Sequence, residues 1–142
     1  MRDFTDIASK IKARGGYYRS RCGASDEQIA SAEQTLGLKF PEEYKEIAKE
    51  FGHIYFPANH WTGEWTGFNI NRGLDVVDVT RFEQINDDRF PAGFFVLENT
   101  GWDGLLVIAN SVGQVYGYCE GSLTFWNNSI SEYFDYCIHA DA

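Results

Sequence analysis

Basic residues are nearly missing from the second half of this 142-residue chain. From Asp75 to Ala142 only Arg81 and Arg89 stand against eleven acids, while Met1–Leu74 holds ten of each sign, so the later half carries the whole net charge of −9. Nucleic-acid binding needs clustered lysine and arginine to displace counterions, and the composition argues against that class of partner. Cysteine is also sparse. Cys22, Cys119 and Cys137 form an odd set without disulfide spacing, which suits small buried side chains in a reducing compartment. Long apolar runs are lacking: the longest uncharged stretch, Gly104–Cys119, is interrupted by Asn110, Ser111 and Gln114, so no membrane helix is expected. The first twenty residues mix charged and apolar positions, unlike a signal peptide, and the expected location is cytoplasmic.

Apolar and aromatic side chains are plentiful, at 44% and 16% of the residues. That composition excludes intrinsic disorder, and one domain of this size buries roughly 68–70% of its unfolded surface. Charge is uneven within the first half too. Met1–Arg21 has six bases and two acids, and Asp26–Glu64 has eight acids and three bases. Such asymmetry fits either a solubilising surface or a face for a charged partner.

Spacing predicts helices first. Phe4, Ile7, Ala8 and Ile11 share one helical face, ended by Gly15-Gly16. Ser25 and Gln28 form a capping box ahead of Ile29, Ala32 and Leu36, with Gly37 as the left-handed terminator. Pro41 fits the first turn of the next helix, which carries Tyr44, Ile47, Ala48 and Phe51 and stops at Gly52. The period then changes to two. Trp65–Ile70 and Asp75–Thr80 read as strands, and Thr80 with Glu83 reads as a second capping box opening a short helix before Pro91. Phe94–Leu97, Leu105–Ala109 and Gln114–Cys119 are strand-length runs, with Asn110–Gly113 as a hairpin loop and Leu123–Trp126 as a further edge strand. Ser129 and Glu132 cap a closing helix. The expected fold is α+β: one domain over 1–142, its N-terminal helices and C-terminal helix packed around a mostly antiparallel sheet of about five or six strands.

Catalytic signatures are absent. The chain has no Gly-x-Ser-x-Gly elbow, no Gly-x-x-x-x-Gly-Lys loop and no Gly-x-Gly-x-x-Gly fingerprint. Cys119, Cys137 and His139 would need His53 or His60 to complete a zinc site, and the paired ligands of zinc modules are missing. Glu98–Gly104 lacks the alternating ligands of a calcium loop and reads as a turn between strands. Asp87-Asp88 reads as a solvated loop. No catalytic residue, metal or cofactor is therefore expected.

Taken in order, Ile29, Glu33, Leu36-Gly37, Phe40-Pro41, Tyr44-Lys45, Ile47 and Phe51-Gly52 resemble the N-terminal signature of the SUKH superfamily, the Smi/Knr-like domains. Trp65, Gly67, Phe68 and Asn69 are similar to a strand of its bacterial YobK-like members. Phe94–Glu98, Gly101–Gly104, Leu106–Ile108 and Gly113–Tyr116 resemble the family's hairpins, and Ser129–Phe134 its closing helix. The similarity spans about 25–138 and leaves 1–24 as a helical extension. Two departures are Phe40 in place of the usual leucine and Asn110 where many members have an acid.

The resemblance implies a bacterial immunity protein that binds and neutralises a cognate polymorphic toxin, often a nuclease, without catalysis of its own. The alternative within the family is a regulatory or scaffold module. Two readings from outside it are a small enzyme using Asp87, Asp88 or His60, and a dimer built on an exposed edge strand. The acidic second half suggests a basic toxin domain steered by Glu98, Asp103 and Glu120 and anchored by Trp65, Tyr116 and Tyr118. The chain is expected to be a monomer or weak homodimer, with no nucleic-acid or membrane partner.

Overall fold

The computed structural model describes residues 17–18, 23–55, 65–69, 75–100 and 104–139. The helix expected over Phe4–Ile11 lies outside them. Strand β1 (Tyr17–Tyr18) pairs antiparallel with β2 (Ile54–Tyr55), and helices α1 (Asp26–Leu36) and α2 (Glu42–Phe51) lie between them in sequence. After α3 (Val76–Asn86) come β3 (Phe94–Asn99), β4 (Leu106–Asn110), β5 (Val115–Cys119) and β6 (Ser122–Asn127), then α4 (Ile130–His139). The four long strands form one antiparallel sheet in the order β3-β4-β5-β6, and the architecture is α+β. The main sheet thus has four strands, fewer than the five or six expected, because the segment around Trp65 makes only isolated bridges.

The first helices follow their local signals. Ser25 accepts from Gln28 N at 3.1 Å and the Gln28 side chain returns to Ser25 N, so the capping box is reciprocal. Gly37 ends α1 at φ 71°, a conformation glycine adopts without Cβ strain. Pro41 stands at the N-cap of α2, one position before the first turn. Glu33 folds back to accept from Phe40 N at 2.8 Å, which fixes the turn between the two helices. Glu43 on α2 accepts from both the amide and the hydroxyl of Ser131, tying α2 to the start of α4. At that start, Ser129 accepts from Glu132 N, while the Glu132 carboxylate reaches Asn128 N, one residue earlier than a capping box requires.

The sheet has two faces. Its inner face presents Phe95, Leu97, Val107, Ala109 and Val115 to Phe40, Tyr44, Ile47, Phe51, Trp65, Ile130, Tyr133 and Phe134. The outer face carries Val96, Leu106, Ile108 and Tyr118, partly covered by Val79 of α3 and by Phe90.

One edge of the sheet is sealed. Trp65 bridges Glu98 on β3, Thr66 N donates to the Leu97 carbonyl at 2.8 Å, and Thr66 Oγ1 donates to the Val96 carbonyl at 2.6 Å. Phe68 N then donates to the Gly52 carbonyl, and Val76 N to the Gly67 carbonyl, so this strap binds the end of α2 to the start of α3. The approach is too close for any side chain at position 67: a Cβ there would stand 2.1 Å from the Gly52 oxygen. A half-buried strand was expected here, yet Trp65, Thr66, Gly67 and Phe68 are all buried, because the strap is wedged between elements on both sides.

Helix α3 departs from the sequence reading. It begins at Val76, where Asp75 accepts from Val77 N at 2.9 Å; Asp75–Thr80 is not a strand and Thr80 is not a cap. Val76 and Thr80 are one helical turn apart as well as an even number of residues apart, so five residues satisfied both periods. Tertiary burial decided between them. Thr80 is fully buried and its Oγ1 accepts from Val96 N at 2.9 Å, adding another bond to the β3 edge. Replacing Thr80 by Val should leave that amide without an acceptor and cost about 1–3 kcal/mol in urea denaturation, with Thr80→Ser costing less. Equal losses for the two variants would remove this hydrogen bond from the seal.

Candidate functional site

Alternation on β5 turns Tyr116 and Tyr118 to the outer face, and β6 places Phe125 opposite Tyr116 and Leu123 opposite Tyr118. Phe94, Tyr116 and Phe125 form an edge-to-face ladder across the sheet, with ring centres 5.5 and 5.4 Å apart. The ladder is only partly open to solvent. Phe94 and Tyr116 are half-buried, and Phe125 and Leu123 are 47% and 43% exposed. Phe82 and Ile85 are further exposed apolar residues on α3.

Acids border one end. The Tyr118 hydroxyl donates to Asp87 Oδ2 at 2.6 Å, and Arg89 N donates to Asp87 Oδ1. The bond from Tyr118, followed by that from the Arg89 amide, holds the Asp87 carboxyl below its ordinary range. Burial first, and then Asp87, push the Tyr118 hydroxyl up to about 12. Asp88 and Glu120 are exposed. Glu120 and Gly121 have φ 49° and 87°, the two positive values of a type I′ hairpin turn. Asparagine or glycine suits the first of these positions; a glutamate there costs roughly 1–2 kcal/mol.

The structure separates the six residues expected to bind a partner. Tyr116, Tyr118 and Glu120 come together at the outer face, where Tyr116 and Glu120 reach solvent and Tyr118 is buried beneath Phe90. Trp65 and Glu98 sit together in the interior, 1% and 0% exposed. Asp103 lies outside the described residues. The cause of the Glu98 placement is a β-bulge. Val96 pairs with Ile108 and Glu98 with Val107, so Leu97 is an extra residue and Glu98 shares the inner face with it. Strict alternation would have put Glu98 beside Val96 on the outer face. Solvent does not reach this carboxylate, and it accepts a hydrogen bond from the Tyr133 hydroxyl. Long-range steering by Glu98 and surface anchoring by Trp65 are therefore corrected to structural roles. Trp65 stacks on Tyr133, 5.7 Å between ring centres.

In this interior cluster the thiol and the phenol are both pushed towards their neutral forms. Burial, reinforced by Glu98, pushes the Cys137 thiol well up, and burial likewise raises Tyr133. Among the described residues no group of three or more His, Cys, Asp or Glu side chains could hold a metal ion. No described helix is long and apolar enough to cross a membrane. The sequence reading did not place Phe94 and Phe125 in the site, though the hairpin register was their signal, and it read Asp87 as solvated loop where the structure has it accept from the Tyr118 hydroxyl.

A meandering antiparallel sheet with helices on its inner face and an aromatic outer face partly covered by α3 defines an α+β domain. The SUKH_6 family model, described as SMI1-KNR4 cell-wall, matches residues 26–137, and the chain belongs to this family. Among curated proteins, none matches the chain.

The paired shifts predict a pH signature. Tyr118 is raised on folding, so its contribution is fully present below about pH 10 and lost as pH rises towards about 12. Asp87 is lowered, so its contribution holds above ordinary carboxylate pKa values and is lost as pH falls through the folded value. Tyr118→Phe should return Asp87 towards the ordinary range in carboxyl NMR titration; an unmoved Asp87 would show that the hydroxyl is not the main cause.

Proposed function

We propose that the chain is an immunity protein that binds a cognate toxin domain of basic character through the outer face of its sheet, with no catalysis of its own. The observation that carries this reading is the partly exposed Phe94–Tyr116–Phe125 ladder on the outer face, with the exposed acids Asp88 and Glu120 at the Tyr118 end of the same face. Aromatic side chains bring large contact area at low entropic cost, and rim acids raise the encounter rate with a cation. Glu120 supports the reading in a second way. It keeps a charge where the turn favours asparagine or glycine, a local cost that a docking role explains.

Co-expression with the toxin domain encoded beside it should restore growth and yield a purified complex. Absence of both would favour the regulatory or scaffold alternative. Glu120→Asn should stabilise the free chain by about 0.5–1 kcal/mol, because strain is relieved, and yet slow its association with the toxin domain at low salt. Unchanged association would remove Glu120 from the interface.

A further inference from the structure

We infer that the outer edge of β6 pairs with β6 of a second copy of this chain, joining two four-stranded sheets into one of eight. The two edges of the sheet are treated differently. Strap and α3 seal β3, whereas no described strand pairs with the outer side of β6, and Ser122, Leu123, Thr124 and Phe125 are all exposed. Monomeric proteins guard such edges with lysine, proline or inward charges. β6 has none of these, and its one bulge, at Trp126, lies beyond the Leu123–Phe125 segment. From Gly121 to Ser131 the chain carries no charge, although its net charge is −9.

That neutrality selects the occupant. Two copies of an acidic protein repel each other over most of their surface, but not along an uncharged edge. A basic partner gains no attraction there and would be drawn to the acids beyond it. The geometry is also self-complementary. The hairpin closes with Cys119 opposite Ser122 across a two-residue turn, so alternation directs the backbone N–H and C=O of Leu123 and Phe125 away from β5. An antiparallel pairing centred on Thr124 sets Leu123 against Phe125 of the partner subunit and Thr124 against Thr124 of the partner subunit. Each bonded pair then covers apolar side chains that are 43% and 47% exposed in one copy. The two-fold axis stands perpendicular to the sheet, so both aromatic ladders face the same side and become continuous.

One strand on each side makes a small contact, at the weak end of specific interfaces, below about 1,200 Å². The dimer should therefore depend on concentration. Light scattering on the purified chain should give a mass rising from 16.2 kDa towards twice that value between micromolar and millimolar concentration. Thr124→Lys and Thr124→Glu place like charges opposite each other and should each weaken self-association by about tenfold or more. An equimolar mixture of the two variants should recover it, which also shows that both are folded. A wild-type chain that stays monomeric throughout overturns the inference, as does a dimer that Thr124→Lys leaves intact or a mixture that stays monomeric. No toxin enters this experiment, so its outcome is separate from that of the immunity reading.

Discussion

The hydrogen bonds that close the β3 edge decide how the rest of the molecule is arranged. Thr66 supplies an amide and a hydroxyl to the Leu97 and Val96 carbonyls, and Thr80 accepts the Val96 amide from the other side. Those bonds lock together the strap, α3 and the first strand of the sheet, and the bond from Phe68 N to the Gly52 carbonyl adds the end of α2. Buried backbone groups left unpaired would each cost free energy comparable to a lost hydrogen bond, so the seal is a requirement of burial at this edge. With β3 closed and helices packed on the inner face, the described residues leave exposed side chains on the part of the outer face that α3 does not cover and along β6.

Much of this was legible because local chemistry decides it. The Ser25–Gln28 box, the Gly37 terminator and the apolar stripes of α1 and α2 need only neighbours in sequence. The three hairpin strands needed only apolar runs and turn residues. Two features were not legible, for different reasons. Asp75–Thr80 satisfied strand and helix periods equally, and the helix won through a contact with Val96, sixteen residues beyond Thr80. Glu98 followed the alternation of its strand until a single extra residue moved it to the opposite face. A bulge is a property of the pairing, and a single strand's sequence does not announce it.

The same slip separates the candidate site into two chemistries. Glu98, Trp65, Tyr133 and Cys137 form a buried polar cluster whose hydrogen bond and stacked rings fix α4 against β3. Tyr116, Glu120, Phe94 and Phe125 remain where a partner can reach them, and the buried Tyr118 donates to Asp87 at the same face. The partly exposed aromatic ladder lies towards the Phe94 end of the outer face, and the strained Glu120 lies in the β5–β6 turn at its other end. The proposed docking surface spans both ends of that face on a protein whose net charge is −9.

Amide hydrogen exchange, measured residue by residue on the free chain and on the chain bound to the toxin domain encoded beside it, tests this docking face most directly. Val96, held by Thr80 within the sealed edge, should be protected in both states, and binding should add protection at Tyr116, Asp88 and Glu120. Added protection confined to the solvent side of α1 and α2, with the outer sheet face unchanged, would contradict it.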